Sequence, residues 1–399
     1  MSKLTYLDYN ATTPLHPALL SFTQETLTKF GNPSSVHGLG RESKKVISQA
    51  RAMVASFLNC EELELVFTSG GSEGNNTALK GASRFFSPER REIICTKIEH
   101  PSVLKTIEFL EKQGFKIKYL NVGKNGSLDL EHLDELLNPQ TAMVTVQLVN
   151  NETGNIFPIK EIAKRAHNAG AVMHSDMVQG LGKIPIDLKD LNVDFATFAG
   201  HKFYSLKGTG ILFIKKGARL APLIAGGGQE RSRRAGTENA LAIGTLGEAI
   251  RVLGPDLGRT THSLEKLRDH FETRVKNEIR NCRINGGESL RVGNTSNITF
   301  ENIDGETLLI NLDTRGFAVS SGAACSSGSQ EPSPVLRGMG FTAEEASQSI
   351  RVSLGWLTTE DEMNRFFDNL KGSVIQMRDA KRAMAAEDDV ENDVGEANP

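Results

Sequence analysis

Val193-Asp194-Phe195-Ala196-Thr197-Phe198-Ala199-Gly200-His201-Lys202 is a mostly apolar run that stops at a glycine, a histidine and a lysine, and a second apolar run follows at 210–214. Short runs of this kind read as strands buried on both faces. Outward from this pair the pattern repeats. Towards the N-terminus, apolar runs lie at 171–174, 142–149, 116–120 and 92–96, several of them separated by helix-length amphipathic stretches such as 158–169. Further back, Val46, Ala50, Met53, Val54 and Phe57 fall at helical spacing, and the strand-like run Leu63 to Thr68 ends in Ser69-Gly70-Gly71-Ser72. This alternation predicts an α/β domain with a largely parallel sheet, whose chemistry lies at the strand C-termini.

Residues 222–240 break the rhythm with Gly226-Gly227-Gly228-Gln229-Glu230-Arg231 and Arg233-Arg234-Ala235-Gly236-Thr237-Glu238-Asn239. A polar, basic, glycine-rich loop of this length is costly unless it binds something. Beyond it, a long amphipathic helix near 262–280 precedes short strands (Asn297 to Phe300, Phe317 to Ser320, Ile350 to Leu354) that alternate with helices near 305–315 and 359–378. The expected organisation is a large domain over 15–255, a smaller α+β domain built from 1–14 and 256–383, and a disordered acidic tail over 384–399.

The chain of 399 residues is 38% hydrophobic and 24% charged, an ordinary globular composition without an apolar run long enough for a membrane span. The first residues contain no apolar signal core, so a cytoplasmic location is expected. Formal net charge is −3, yet residues 385–399 hold six acids and no base, leaving about +3 on the rest. That balance supplies no basic stripe for nucleic acid. Cys60, Cys95, Cys282 and Cys325 are widely spaced and form no CxxC, so neither a metal site nor a disulfide framework is expected.

Three features carry chemistry. Lys202, at the end of a buried strand, is placed to be desolvated, which lowers a lysine's pKa and suits it to a Schiff base. Asp176 ends the run Ala171-Val172-Met173-His174-Ser175, and a buried carboxylate calls for a cation such as a protonated pyridine nitrogen. Ser69-Gly70-Gly71-Ser72-Glu73-Gly74 follows a strand and opens a helix, where free N–H groups and the helix dipole favour a phosphate. Taken singly, each has an ordinary reading: a solvated lysine, an aspartate capping the next turn, a purely structural glycine turn. Together they are the three handles that a pyridoxal 5'-phosphate (PLP) site needs.

With these in place the chain resembles the cysteine desulfurases of the NifS/IscS type, class V aminotransferases of PLP fold type I. The resemblance runs from Tyr6-Leu7-Asp8-Tyr9-Asn10-Ala11-Thr12-Thr13-Pro14 to about Thr359. It is carried by Gly31-Asn32-Pro33-Ser34-Ser35-Val36-His37, Phe67-Thr68-Ser69-Gly70-Gly71-Ser72-Glu73, Glu99-His100, Val149-Asn150-Asn151-Glu152-Thr153-Gly154, Gly200-His201-Lys202, Arg234-Ala235-Gly236-Thr237 and Ser320-Ser321-Gly322-Ala323-Ala324-Cys325. It implies a large domain with a mainly parallel seven-stranded sheet beside a smaller α+β domain. It further implies that Lys202 carries the internal aldimine, Asp176 faces the pyridine nitrogen, and His100, closing a strand, stacks on the ring and shuttles protons. Gln179 would bond the ring hydroxyl. Ser72, His201 and the backbone around Gly71 would hold the phosphate, with Thr237 supplied by the second subunit of a homodimer. Asn151 and Arg351 would receive the carboxylate of L-cysteine, with Asn151 also beside the cofactor.

In the small-residue segment around Cys325, the resemblance implies a mobile nucleophile that takes sulfur as a persulfide and releases alanine. The sulfur would pass to an acceptor protein for iron-sulfur cluster assembly or thiolation. Two rival activities on this scaffold are those of a selenocysteine lyase and a cysteine sulfinate desulfinase; a non-catalytic scaffold paralogue is a rival of another class. The chain departs from the family pattern at Ala199, where a phosphate-binding serine is usual, at Tyr204-Ser205-Leu206-Lys207, and at Met177.

Overall fold

The computed structural model describes residues 4–321 and 332–395, with side chains to residue 383. Its strands are β1 (Thr5–Tyr6), β2 (Leu65–Thr68), β3 (Glu92–Thr96), β4 (Lys116–Leu120), β5 (Thr141–Thr145), β6 (Val172–Asp176), β7 (Phe195–Ala199), β8 (Gly210–Ile214), β9 (Cys282–Ile284), β10 (Thr295–Phe300), β11 (Phe317–Ala318) and β12 (Ser349–Ser353). Seven of them form one sheet, in the order β2-β8-β7-β6-β5-β3-β4. Within it β8 alone runs against its neighbours; the other adjacent pairs are parallel. The reason lies in the connections. Helices separate the parallel strands, whereas β7 and β8 are joined by a short turn that reverses the chain.

Every residue of β2, β3, β5, β7 and β8 is buried, as expected of strands covered by helices on both faces. The edge strand β4 is half exposed and carries Lys116 and Lys118, which pair with Glu92 of β3. Charged side chains on an edge discourage pairing with another sheet.

β12, β10 and β9 make an antiparallel sheet of their own. Its apolar face packs with Phe271, Phe366 and Phe367 from the helices Leu257–Glu278 and Glu360–Gly395. The N-terminal Leu7 enters this second core, and β1 pairs with β11. The first residues thus complete the smaller body. Val335, Leu336, Met339 and Phe341, by contrast, lie in the span expected to belong to that body but pack into the core beside the large sheet. The backbone of the last helix continues to Gly395, so positions 384–395 are helical where a disordered tail was expected. Among the described residues no helix is long and apolar enough to cross a membrane.

Candidate active site

The C-terminal ends of β2, β3, β5, β6 and β7 meet the smaller body around a cavity of about 330 Å3. Lys202 arrives in the short turn Gly200–Lys202 that follows β7. Its ammonium nitrogen donates to the carbonyls of Asn10 and Ala11, at 2.5 and 2.7 Å.

Asp176 is the last residue of β6 and is 6% exposed. One carboxyl oxygen accepts from the backbone N–H of Val178 at 2.9 Å and the other from Asn75 Nδ2 at 2.7 Å. Asn75 Nδ2 also donates to Ser102 Oγ, which lies 2.7 Å from His100 Nδ1. A row of polar groups therefore runs from Asp176 to the imidazole.

His100 does not close β3, which ends at Thr96; it is the N-cap of the helix Pro101–Glu111. Pro101 at the first helical position fits that start, since its missing N–H would have had no partner there. The Ser102 backbone N–H donates to His100 Nδ1 at 3.1 Å, so the neutral ring carries its proton on Nε2. Burial lowers the imidazole pKa, Asp176 opposes that shift and Lys202 reinforces it. The preceding Glu99 is buried, and burial pushes its carboxyl up to about 8 against the donors Thr96 and Gln147.

The helix Gly71–Ser83 begins directly after β2, and its first N–H groups have no intrahelical partner. Gly70 takes φ +156° and ψ −176°, a conformation essentially reserved for glycine. A Cβ on Gly71 would come within 2.7 Å of Val178 Cγ2, so the close backbone approach needs glycine as well. Arg234, from the loop over 222–240, braces this helix start. It donates through Nε and Nη2 to the two carboxyl oxygens of Glu73, which also accepts from the Ser69 N–H.

Gln179, His201, Asn151 and Arg351 line the same cavity. His201 Nδ1 lies 3.1 Å from Thr12 Oγ1, and burial, then Lys202 and Lys207, lower the ring pKa to about 4. The Asn151 Oδ1 and the Arg351 Nε are buried without hydrogen-bond partners. The other guanidinium nitrogens are engaged: Nη2 with Asp8 Oδ1 at 2.6 Å and Nη1 with the Asn151 carbonyl at 3.1 Å. The guanidinium is thus a cation held by Asp8 and the Asn151 carbonyl, with its Nε N–H buried and unpartnered.

One expected residue is not brought into this cavity. Thr237 is exposed and lines a separate cavity of about 160 Å3 beside Thr68 and Arg234. Cys325 lies outside the described residues, but both flanks of its segment are tied down next to the site. Ser320 exchanges backbone hydrogen bonds with Arg351, and Ser333 Oγ bonds the buried carboxyl of Glu152, next to Asn151.

Of the departures, Tyr204 turns away from the cavity: its hydroxyl accepts from the Trp356 N–H at 2.7 Å. Lys207 is exposed and Ser205 does not line the cavity, whereas Ala199 does. Sequence reasoning missed Asn10, Asn75, Ser102 and Lys183. Asn10 lies inside a motif already singled out and Asn75 directly follows another, and their side-chain amides were the available signal.

Lysine, buried carboxyl and a helix start at the ends of parallel strands define a PLP-fold enzyme of the aminotransferase kind. The class-V aminotransferase family profile matches residues 5–366. A cysteine desulfurase of Nostoc sp. is 43% identical over 374 residues, spanning 94% of this chain and 93% of that one. Cysteine desulfurase IscS of Dictyoglomus turgidum is 41% identical over 382 residues, 95% of this chain and 96% of that one. A solved NifS-like protein superposes with a TM-score of 0.87 at 35% identity, covering 92% of this chain and 98% of its own. SspA in complex with cysteine gives 0.77 at 34% identity, with 88% and 98% covered. The chain belongs to the class-V aminotransferase family and, within it, to the cysteine desulfurases of the NifS/IscS type.

Proposed function

We propose that this chain binds PLP through Lys202 and uses it to take sulfur from L-cysteine onto Cys325, releasing alanine. The observation that carries the reading is the convergence of Lys202, Asp176, His100, Asn151 and Arg351 on one cavity, with polar atoms of the last two buried and unpartnered. These residues fit the cofactor. Asp176 suits a protonated ring nitrogen, and the helix start at Gly71 and Ser72, with His201, suits a phosphate.

When bound, PLP supplies a carbonyl for amine exchange and an electron sink that acidifies the substrate's α-proton. Arg351 Nε and the Asn151 amide, which can rotate to present its NH2 group, receive the carboxylate. His100 is set to donate a proton from Nε2, since its Nδ1 is already occupied by Ser102. Cys325 then attacks the substrate sulfur as thiolate. The sulfur–carbon bond breaks with its electron pair going to carbon, a sulfur–sulfur bond forms, and the carbon fragment takes up a proton to leave as alanine.

The division into a large and a smaller domain and the homodimer, with Thr237 serving the neighbouring site, belong to the same proposal. So do a cytoplasmic location and a protein sulfur acceptor in cluster assembly or thiolation. Visible absorbance and product assays test the reading. PLP-loaded wild type is expected to show a visible band and to release alanine and sulfide from L-cysteine with a thiol reductant present. Lys202→Ala is expected to lose the band, and Cys325→Ala to keep it while losing sulfide release. Sulfide release retained by Cys325→Ala would overturn the role of Cys325.

A further inference from the structure

A lysine is buried one layer behind the cavity. Lys183 is 9% exposed and lies beyond Asn10 and Gln179, which line the cavity where it does not. Its Nζ donates to Asn10 Oδ1 at 2.7 Å and to Gln179 Oε1. Burial, then the positive charges of Lys202 and Arg351, hold it well below the usual lysine range, which favours the neutral amine. A neutral amine has two N–H groups, and here there are two acceptors for them.

The Gln179 amide is constrained at both ends. Its Nε2 donates to the Asn10 carbonyl at 2.9 Å, and a carbonyl can only accept, so the NH2 must lie on that side. Its Oε1 is committed to Lys183. One amide N–H remains, and no described residue accepts from it. Asn10 is itself fixed: Nδ2 donates to Thr295 Oγ1 and to the Asn151 carbonyl, and Oδ1 accepts from Lys183 and Asn294. The remaining N–H of Gln179 thus belongs to a side chain whose other polar atoms are all used.

We infer that Lys183 is a positioning residue: by engaging Oε1 it holds the Gln179 amide so that an N–H, rather than the carbonyl, meets the ring oxygen of the cofactor. The inference rests on the PLP reading above. Its consequence is electronic. The cofactor's ring oxygen can hold the proton on the Lys202-linked nitrogen, and a second donor to that oxygen competes with it. A protein that supplies this donor releases the nitrogen's proton at lower pH.

The test is a pH titration of the visible band in the PLP-loaded protein, not an activity assay. Lys183→Met removes both N–H groups and keeps an apolar side chain of similar length. Its midpoint is expected to rise by about one pH unit, a tenfold change in the protonation equilibrium. Gln179→Leu, which removes the donor itself, is expected to rise at least as far. The double variant should move no further than Gln179→Leu, since residues in one hydrogen-bond network do not add. An intact band with an unmoved midpoint in Lys183→Met overturns the inference, and so do fully additive shifts. Lys183→Leu is a second apolar replacement. If neither variant folds by circular dichroism while wild type does, the lysine serves folding and its positioning role is refuted. A wild type that forms no visible band with PLP refutes the cofactor reading itself, whereas a normal wild-type band with an unshifted variant refutes only the role of Lys183.

Discussion

The two walls of the cavity are built on different principles. On one, Asp176, Asn75, Ser102 and His100 join the ends of β6 and β3 to two helix starts through a row of hydrogen bonds between residues 2, 27 and 101 positions apart. On the other, Asp8, Asn10, Asn151 and Arg351 come from segments 141, 200 and 343 positions apart, and the anchor is an ion pair in which Arg351 is 3% exposed. The first wall is aimed by elements of the large sheet and its helices: the end of β6 aims Asp176, and the capping turn after β3 aims His100. The second needs the N-terminal segment, β12 and the loop after β5 to be packed already. A largely buried charge left without its ionic partner costs more than one missing hydrogen bond, even a bond to a carboxylate, so the second wall is the more fragile to single changes.

The largest effect follows from that difference. Arg351→Ala strands the Asp8 carboxylate between the two bodies and is expected to lower unfolding free energy by about 3–5 kcal/mol, read from urea denaturation of the apo protein. A loss below about 1 kcal/mol would mean that solvent reaches Asp8 and that the two walls are not so different.

Next comes Asn75→Ala, which removes the donor shared by Asp176 and Ser102. Hydrogen bonds to a carboxylate contribute about 1.5–3 kcal/mol, so the apo protein is expected to lose about that much in the same measurement. A loss as large as that of Arg351→Ala would show that the hydrogen-bonded wall also depends on an irreplaceable charge partner.

The smallest effect concerns the cofactor end of the first wall. Ala199 lines the cavity and is 1% exposed, and neither Tyr204 nor Lys207 takes the place of a hydroxyl there. Ala199→Ser is expected to tighten PLP binding about tenfold, or about 1.4 kcal/mol, in a Lys202→Ala background that removes Schiff-base formation. Equal affinities by equilibrium titration would mean that a water or the helix start at Gly71 already satisfies the phosphate.

Lys202, Asp176 and Gly71 were legible in the primary structure because an apolar run with an abrupt polar end announces both a buried strand and the residue at its C-terminus. His100 was legible as a site residue but not as a helix cap, because a short run ending in Glu99-His100 reads as a longer strand. Its real setting depends on Pro101 and on Ser102 reaching back to Nδ1. Arg351 was expected to receive a carboxylate, but its partner Asp8 was not foreseen. Its pairing with Asp8 follows from β1 lying beside β11 and from the Asp8–Ser353 bridge, neither of which has a local pattern.

By itself the sequence determined the alternation of strand and helix, and through it that a lysine, a carboxyl and a glycine-opened helix share one edge of one sheet. Hydrophobic periodicity is local, and parallel strands align their C-terminal ends. Tertiary structure alone decided that Asn10 gathers Lys183, Gln179, Lys202, Asn151, Asn294, Thr295 and Ser353 around a single side chain and its peptide groups. A hydrogen bond leaves no mark on the spacing of residues 141 to 343 positions apart, and those partners meet only because Leu7 and Tyr9, on either side of Asp8, are buried in two different cores.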